Sequence, residues 1–507
     1  MFQKVISAGL WGIDGFLVAV EADIHDGLPG FLLTGNLAQE TREAQERVRI
    51  ALKNADIRLP PKKITVNLSP ADIRKDGTAY DLAIAAAVLG AFGIFPDSFL
   101  RDALVVGELG LNGKVKPVRG VLSLVSAARD SGLKRCFLPK ENALEGSIVT
   151  GIEIIPVVSI QELTEMLQDP ERISVLNGDA WRTLEENMDD TYPIDFSELN
   201  GQPLVRRATE VAVAGRHNIL YIGSAGTGKT MAAKRIPTIM PPLSREESIQ
   251  ISKIYSISGL LPPETPLMTR RPFRSPHHTI TSTALAGGGV IPKPGEISLA
   301  SSGVLFLDEL PEFSGKVIEI LRQPLEDRVV TVSRLYGSYV FPANTMLAAA
   351  ANPCPCGFYP DRTRCHCSPG QVKRYIGRIS KPILDRIDIT VEAAPVTYEE
   401  FRRTDRNESS AQIRERVVCA HQIQRSRQGL LNGEMSAREI QQYCVLDAPE
   451  EAYLRGIYQN MKLSARACHK ILKVARTIAD LDGKEQIEKV HLCEAIGYRS
   501  LEEKYWS

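Results

Sequence analysis

An apolar, strand-length run, Asn218–Ile222, ends in the octet Gly223-Ser224-Ala225-Gly226-Thr227-Gly228-Lys229-Thr230 and passes directly into a helix-forming stretch that reaches Met240. No other feature of the chain limits its fold as tightly. A glycine-rich turn between a buried strand and a helix leaves backbone N–H groups free to wrap an anion, and the helix N-terminus adds its dipole. Gly223–Thr230 is therefore a P-loop, and strand, loop and helix in this order require a parallel α/β sheet with the loop at its carboxyl edge. In such a loop Lys229 reaches the β- and γ-phosphates of ATP, and the Thr230 hydroxyl ligates Mg2+.

Two later runs end in the polar groups that this chemistry needs. Gly303–Asp308 is an apolar strand closing on Asp308 and Glu309. In a Walker B role, Asp308 holds the metal and Glu309 orients and deprotonates the attacking water. Thr345–Ala351 ends at Asn352, a polar side chain placed to bond the γ-phosphate or the lytic water. Three parallel strand ends then make one site.

The 507 residues suffice for about three domains. With 61 basic and 61 acidic side chains the net charge is zero, so DNA would be met by a local patch or a lined pore, not by a globally basic surface. The opening segment has no secretory pattern, because Asp14 and Glu21 interrupt it. The longest apolar run, Leu82–Pro96, is shorter than the roughly 18–20 residues a membrane span takes, and is expected to be a buried helix. A cytoplasmic protein is expected.

Residues 1–165 alternate strand-like runs (Ile64–Leu68, Ala103–Gly107, Arg135–Leu138, Ile152–Val158) with helical ones (Glu40–Asn54, Tyr80–Leu89, Val121–Ser131), as an α/β domain does. Residues 166–197 are expected to be a polar linker. Residues 198–395 hold the nucleotide motifs, and 396–507 show the helical periodicity of a lid.

Cys354-Pro-Cys356 and Cys365-His-Cys367 form two Cys-x-Cys hooks separated by eight residues. Four thiolates at that density close a tetrahedral structural Zn2+ site, with His366 as a substitute ligand; free or redox-active thiols are the alternative. The other cysteines (136, 419, 444, 468, 493) are scattered and expected to be buried.

The order of these elements resembles the AAA+ ATPases. The insert RPFRSPHHTI…ALAGGGVIPKPGEISLASSGVLFLDELPEF (Arg271–Phe313), with NPCPCG (Asn352–Gly357) and SKPILDRID (Ser380–Asp388), resembles the magnesium-chelatase-like family, also called the ComM or YifB family. Ser301–Ser302 departs from a histidine-containing pair common there. The resemblance spans the whole chain and implies a hexameric branch-migration helicase for DNA uptake and recombination, acting on single-stranded, forked or junction DNA. It makes Arg386 an arginine finger for the neighbouring subunit's ATP, a role that suits a permanently charged planar guanidinium. It makes Arg466 the second sensor and puts Gln202 near the adenine. A metal-chelatase motor subunit and a protein-remodelling chaperone are the alternatives.

The N-terminal segments VNLSPADIRKDGTAYDLAIAAAVL (Val66–Leu89) and GELGLNGKVKPVRGVLSLVSAARDSGLKRCFLPKEN (Gly107–Asn142) resemble the Lon protease domain, a ribosomal S5 domain 2-like fold. The positions of its Ser–Lys dyad fall on Ala79 and Leu122, whose side chains neither attack nor accept a proton. No proteolysis is expected.

Two hairpins are candidates for gripping substrate. Gly287–Glu296 carries Lys293 near its tip. The other runs Val329–Ser333, turn, Tyr339–Phe341, with Arg334 and Tyr336 placed to meet a phosphate and a base. His277 and His278 are expected to make structural hydrogen bonds, there being no ligand pattern around them.

Overall fold

The computed structural model describes residues 1–96, 100–176, 192–262, 265–334, 337–402 and 407–506. They form two units: Met1–Asp189 with Ser244–Thr269 and Thr331–Val340, and Asp190–Leu243 with Arg270–Val330 and Phe341–Ser507.

The first unit is built on a seven-stranded mixed sheet in the order Gly30–Thr34, Lys63–Ser69, Asp14–His25, Phe2–Trp11, Ala103–Val105, Arg135–Pro139, Glu153–Val157. Its two longest strands form an antiparallel hairpin, Phe2 facing Asp23 and Trp11 facing Asp14. The expected apolar helix is Asp81–Ala91, buried at every residue but Gly90, so a core position explains its composition.

The boundary drawn from sequence changes here. Segments 244–269 and 331–340, expected within the nucleotide-binding region, cluster with the N-terminal unit. Helix Arg245–Ser258, started by a Ser244–Glu247 capping box, buries Ile251, Ile254, Tyr255 and Ile257. Ser256 Oγ donates to Glu145 Oε1 at 2.5 Å and accepts from the Gly120 N–H at 2.9 Å. An apolar helix face gives no sign of which core it will cover, so the sequence left this pairing open.

The second unit is a five-stranded sheet in the order Phe273–Arg274, Val304–Leu307, Met346–Ala351, Ile219–Gly223, Ile389–Ala393, every pair parallel. The three central strands are buried at every residue, as continuous apolar runs in parallel sheets require. Helices Pro203–Gly215 and Lys229–Ile239 pack on it, and the lid follows as Ser410–Gln428, Ala437–Tyr443, Ala448–Asn460, Ala465–Leu481 and Lys489–Trp506.

A polar cluster joins lid to sheet. Asp388, its side chain 13% exposed, accepts from the Asn218 N–H at 3.1 Å, with Lys470 Nζ at 3.4 Å and His217 Nδ1 at 3.7 Å. Burial opposes its ionisation, but the Lys470 ammonium and then the His217 ring overcome it and hold the carboxyl far below the usual range. Asp388→Ala leaves Lys470 without its counter-charge and is expected to cost about 3–5 kcal/mol, read as a lower melting temperature. Because the folded carboxyl titrates below the unfolded one, its contribution is complete above about pH 4 and fades as pH falls further, so variant and parent converge in acid. Equal melting temperatures at neutral pH would show that the pair contributes nothing.

Candidate functional site

At the carboxyl edge of the five-stranded sheet, the loop after Gly223 turns through Gly226 and Gly228, both left-handed (φ +79° and +87°). Gly223 itself has no room for a side chain, since a Cβ there would lie 2.4 Å from the Ala393 carbonyl oxygen. Lys229 Nζ donates to Gly223 O at 2.6 Å, Ser224 O at 2.7 Å and Asn352 Oδ1 at 3.2 Å. Burial lowers its pKa to about 8, with Asp308 and Glu309 pulling the other way. The Thr230 hydroxyl donates to Asp308 Oδ2 at 2.7 Å, so these two oxygens lie close enough to share one Mg2+ coordination sphere. Sequence-picked Lys229, Thr230, Asp308 and Asn352 thus meet in one place.

Glu309 adopts a left-handed backbone (φ +53°) at the start of the turn Leu310–Glu312, its N–H donating to Asp308 Oδ1 at 2.9 Å. A non-glycine residue held there stores strain, as functional positions often do. Its carboxylate faces His278 Nδ1 at 3.7 Å, while His277 bonds Thr279 Oγ1 at 2.9 Å and lies against the His278 ring with centroids 4.0 Å apart. The structural role expected for the histidine pair describes His277; the approach of His278 to Glu309 was not legible. Gln202, also left-handed, donates through Nε2 to Thr227 O at 3.0 Å and to Ala394 O. It therefore braces the P-loop against the chain beyond the edge strand.

Cys354, Cys356, Cys365 and Cys367 bring their sulfurs within 4.8 Å of one another. Sulfur–sulfur distances of 3.3, 3.6 and 3.8 Å rise to the ~3.8 Å that a tetrahedron with Zn–S of about 2.3 Å requires. The Phe358 backbone and then the neighbouring thiols lower the Cys356 pKa to about 6, and burial pushes Cys365 up to about 11. The donor set fits a four-coordinate soft metal. His366 is exposed and outside the cluster. The loop also abuts the P-loop: a Cβ on Gly357 would lie 3.8 Å from Ala225 N. Of the remaining cysteines, Cys136 and Cys444 are buried, but Cys419 and Cys493 are exposed, against expectation.

Arg386 and Arg466 do not join the P-loop cluster. They line a separate cavity of about 420 Å3, whose lining among the described residues includes no P-loop residue. Arg386 pairs there with Glu326 at 2.8 Å, and Arg466 with the same oxygen at 3.0 Å.

Comparison with known proteins accounts for this assembly. Residues 195–401 match the family described as magnesium chelatase, subunit ChlI, residues 20–142 match subunit ChlI of Mg-chelatase, and 407–499 match the ChlI C-terminal family. The chain is 40% identical to the competence protein ComM of Haemophilus influenzae, over 98% of this chain and 97% of that one. The chain belongs to the ComM/YifB family of magnesium-chelatase-like AAA+ proteins. It is 39% identical to the uncharacterized protein YifB of Salmonella typhimurium, over 97% and 96% of the two chains. It is also 27% identical to the Lon protease of Azorhizobium caulinodans, over 32% of this chain and 20% of that enzyme.

Within this ComM/YifB chain, of the positions expected from sequence to match the Lon dyad, Leu122 is fully buried in a core cluster and half-buried Ala79 packs against that cluster. The first candidate hairpin pairs Gly287 with Pro294 and Gly288 with Lys293. Lys293 is exposed, but the tip is apolar, with Val290 87% and Ile291 45% exposed. The hairpin's base is fixed by Arg274, which makes two bonds to Glu296 at 2.6 and 2.7 Å. In the second hairpin, Val329–Arg334 with Gly337–Pro342, Arg334 is exposed and donates to Ser333 O, whereas Tyr336 lies outside the described residues. Tyr339 stacks on Trp11 at 4.6 Å, which fixes one face of this hairpin within the N-terminal unit. Among the described residues no helix is long and apolar enough to cross a membrane.

Proposed function

We propose that this chain is a cytoplasmic, ring-forming ATPase, hexameric by family resemblance, that moves along DNA and drives unwinding or branch migration during recombination or natural transformation. The observation that carries the ATPase reading is the convergence of Lys229, Thr230, Asp308 and Asn352 at three adjacent parallel strand ends. Lys229, with the N–H groups of Gly223–Thr230, takes the phosphates; Thr230 and Asp308 hold Mg2+, which offsets phosphate charge when bound. Glu309 takes the proton of the attacking water and Asn352 holds that water or the γ-phosphate in line. Arg386 and Arg466, away from this subunit's own P-loop, serve the ATP of the neighbouring subunit. The DNA reading is supported by the full-length likeness to a protein named for competence and by the exposed Lys293 and Arg334.

The apolar hairpin tip, Val290–Ile291, favours a second reading, a motor that grips polypeptide. An ATPase assay with junction DNA, forked DNA, unfolded protein and a porphyrin-binding chelatase partner separates the DNA, remodelling and chelatase readings. Stimulation by forked or four-way-junction DNA is expected, weakening steeply with salt as phosphate contacts release counterions. Lys293→Ala and Arg334→Ala should lower that stimulation more than basal hydrolysis. Silence towards every DNA at low salt, with rings assembled, would falsify the DNA motor.

Hydrolysis is tested separately. Glu309→Gln is expected to bind ATP like the parent and to lose turnover by about a hundredfold or more, because it removes the base and leaves Thr230 and Asp308 in place. Lys229→Ala should weaken nucleotide binding itself. Parental turnover in Glu309→Gln removes the Walker B assignment.

The cysteine loop is proposed to hold one structural zinc. Elemental analysis should find about one zinc per chain, and Cys354→Ser with Cys365→Ser should release it and lower the melting temperature. A metal-free, fully active preparation rules the site out.

A further inference from the structure

Glu326 sits in the short helix Arg322–Asp327, and its Oε1 is shared by Arg386 Nη2 at 2.8 Å and Arg466 Nη2 at 3.0 Å. The two arginines come from different layers of the unit. Arg386 lies just past the short helix Lys381–Leu384 that leads into the sheet's edge strand, whereas Arg466 is in the first turn of the lid helix Ala465–Leu481. Arg386 is 12% exposed and locked on all sides, with Nε donating to Arg322 O at 3.3 Å and Nη1 to Pro382 O at 2.6 Å. Arg466 is 56% exposed.

Of the three other acids that line the cavity, Glu434 is bonded to Arg216 and Arg328 and Asp388 to Lys470, and Asp385 stands beside Arg386 in the chain. Glu326 faces two guanidiniums with one charge, so the trio keeps a net positive charge. Each bonded Nη carries a second N–H, which leaves donors for a phosphate.

We propose that Glu326 is a positioning residue that holds Arg386 and Arg466 side by side, so that a core arginine and a lid arginine meet the γ-phosphate bound to a neighbouring subunit as one unit. This rests on the reading of both arginines as acting on the neighbour's ATP. The physical advantage is preorganisation: a long, freely rotating arginine loses rotamers when it engages a phosphate, and a carboxylate that has already fixed two of them removes that loss from the reaction. The carboxylate also makes the lid's position matter to catalysis, because Arg466 reaches Arg386's neighbourhood only where the lid helix brings it to Glu326.

The test compares Glu326→Gln, Arg386→Ala, Arg466→Ala and the double variant Glu326→Gln/Arg466→Ala by steady-state ATPase, binding of a non-hydrolysable ATP analogue, melting temperature and ring assembly. Glu326→Gln keeps shape and removes charge. It is expected to lower kcat about tenfold or more, as loss of a charge-assisted bond does, with analogue affinity within about twofold of the parent. On the Arg466→Ala background the same substitution should cost far less, since one of its two clients is gone. Mixing Glu326→Gln with Lys229→Ala subunits should restore hydrolysis, because some interfaces then pair an intact P-loop with an intact Glu326 face. Parental kcat in Glu326→Gln while Arg386→Ala is inactive overturns the role of Glu326 alone. Parental kcat in Arg386→Ala overturns the trans-acting arginines, and this inference with them. An equal loss on both backgrounds, or a loss tracking melting temperature or ring assembly, assigns Glu326 a purely structural part and also overturns the proposal.

Discussion

The ammonium of Lys229 is the point on which the nucleotide-binding unit turns. It is buried beneath its own loop and bonded at once to two carbonyls at the end of one strand and to Asn352 at the end of the next. Only a sheet whose strands run parallel and end level offers those acceptors together. The all-buried strands Val304–Leu307, Met346–Ala351 and Ile219–Gly223 supply it. Burial destabilises the charge, and the flanking carboxylates Asp308 and Glu309 offset only part of that cost. A buried, incompletely compensated charge gains from anionic phosphate more than a solvated lysine would.

At the opposite edge of the sheet, where strands Ile219–Gly223 and Ile389–Ala393 begin, a polar network carries order into the lid. Asp388 is bound to the Asn218 backbone beside the P-loop strand and to Lys470 on a lid helix. His217 bonds Thr477, Thr477 bonds Asn432, and Asn432 meets Asp480, which also takes both Nη groups of Arg427. Hydrophobic contacts alone fix a lid helix loosely in rotation, whereas a chain of buried hydrogen bonds narrows the arrangements open to it. The consequence is that Arg466, one turn before Lys470, is carried at a defined place relative to Arg386.

Much of this was legible in the sequence because the motifs are local. The P-loop strand, the strand ending at Asp308 and the strand ending at Asn352 announce themselves by continuous apolar runs, and the four cysteines by their spacing. The lid helices, Ala465–Leu481 among them, fall within the 396–507 stretch of helical periodicity. What escaped depended on contacts distant in sequence. Nothing near Glu326 marks it, since its meaning lies in two arginines 60 and 140 residues away. His278 approaches Glu309 only because edge strand Phe273–Arg274 lies beside the strand ending at Asp308. The opening hairpin Phe2–Trp11 with Asp14–His25 was also missed, although its alternation is visible once its antiparallel partner is known.

The N-terminal unit, which is similar in sequence to Lon protease, buries the positions expected from sequence to match that enzyme's dyad in apolar surroundings. A lysine base needs a dry pocket and a serine within reach; the position where the sequence likeness places that lysine carries Leu122, which is fully buried. Glu145, which burial pushes above the usual carboxyl range, accepts the Leu122 N–H at 3.1 Å and the Ser256 hydroxyl. Ser256 comes from helix Arg245–Ser258, a segment that follows the P-loop helix in the chain. The hydrogen-bonding groups of that region are thus taken up in seating this helix. Once the side chains at the dyad positions are inert, the polar groups around them are still buried and still need partners. An inserted helix that supplies a hydroxyl meets that requirement.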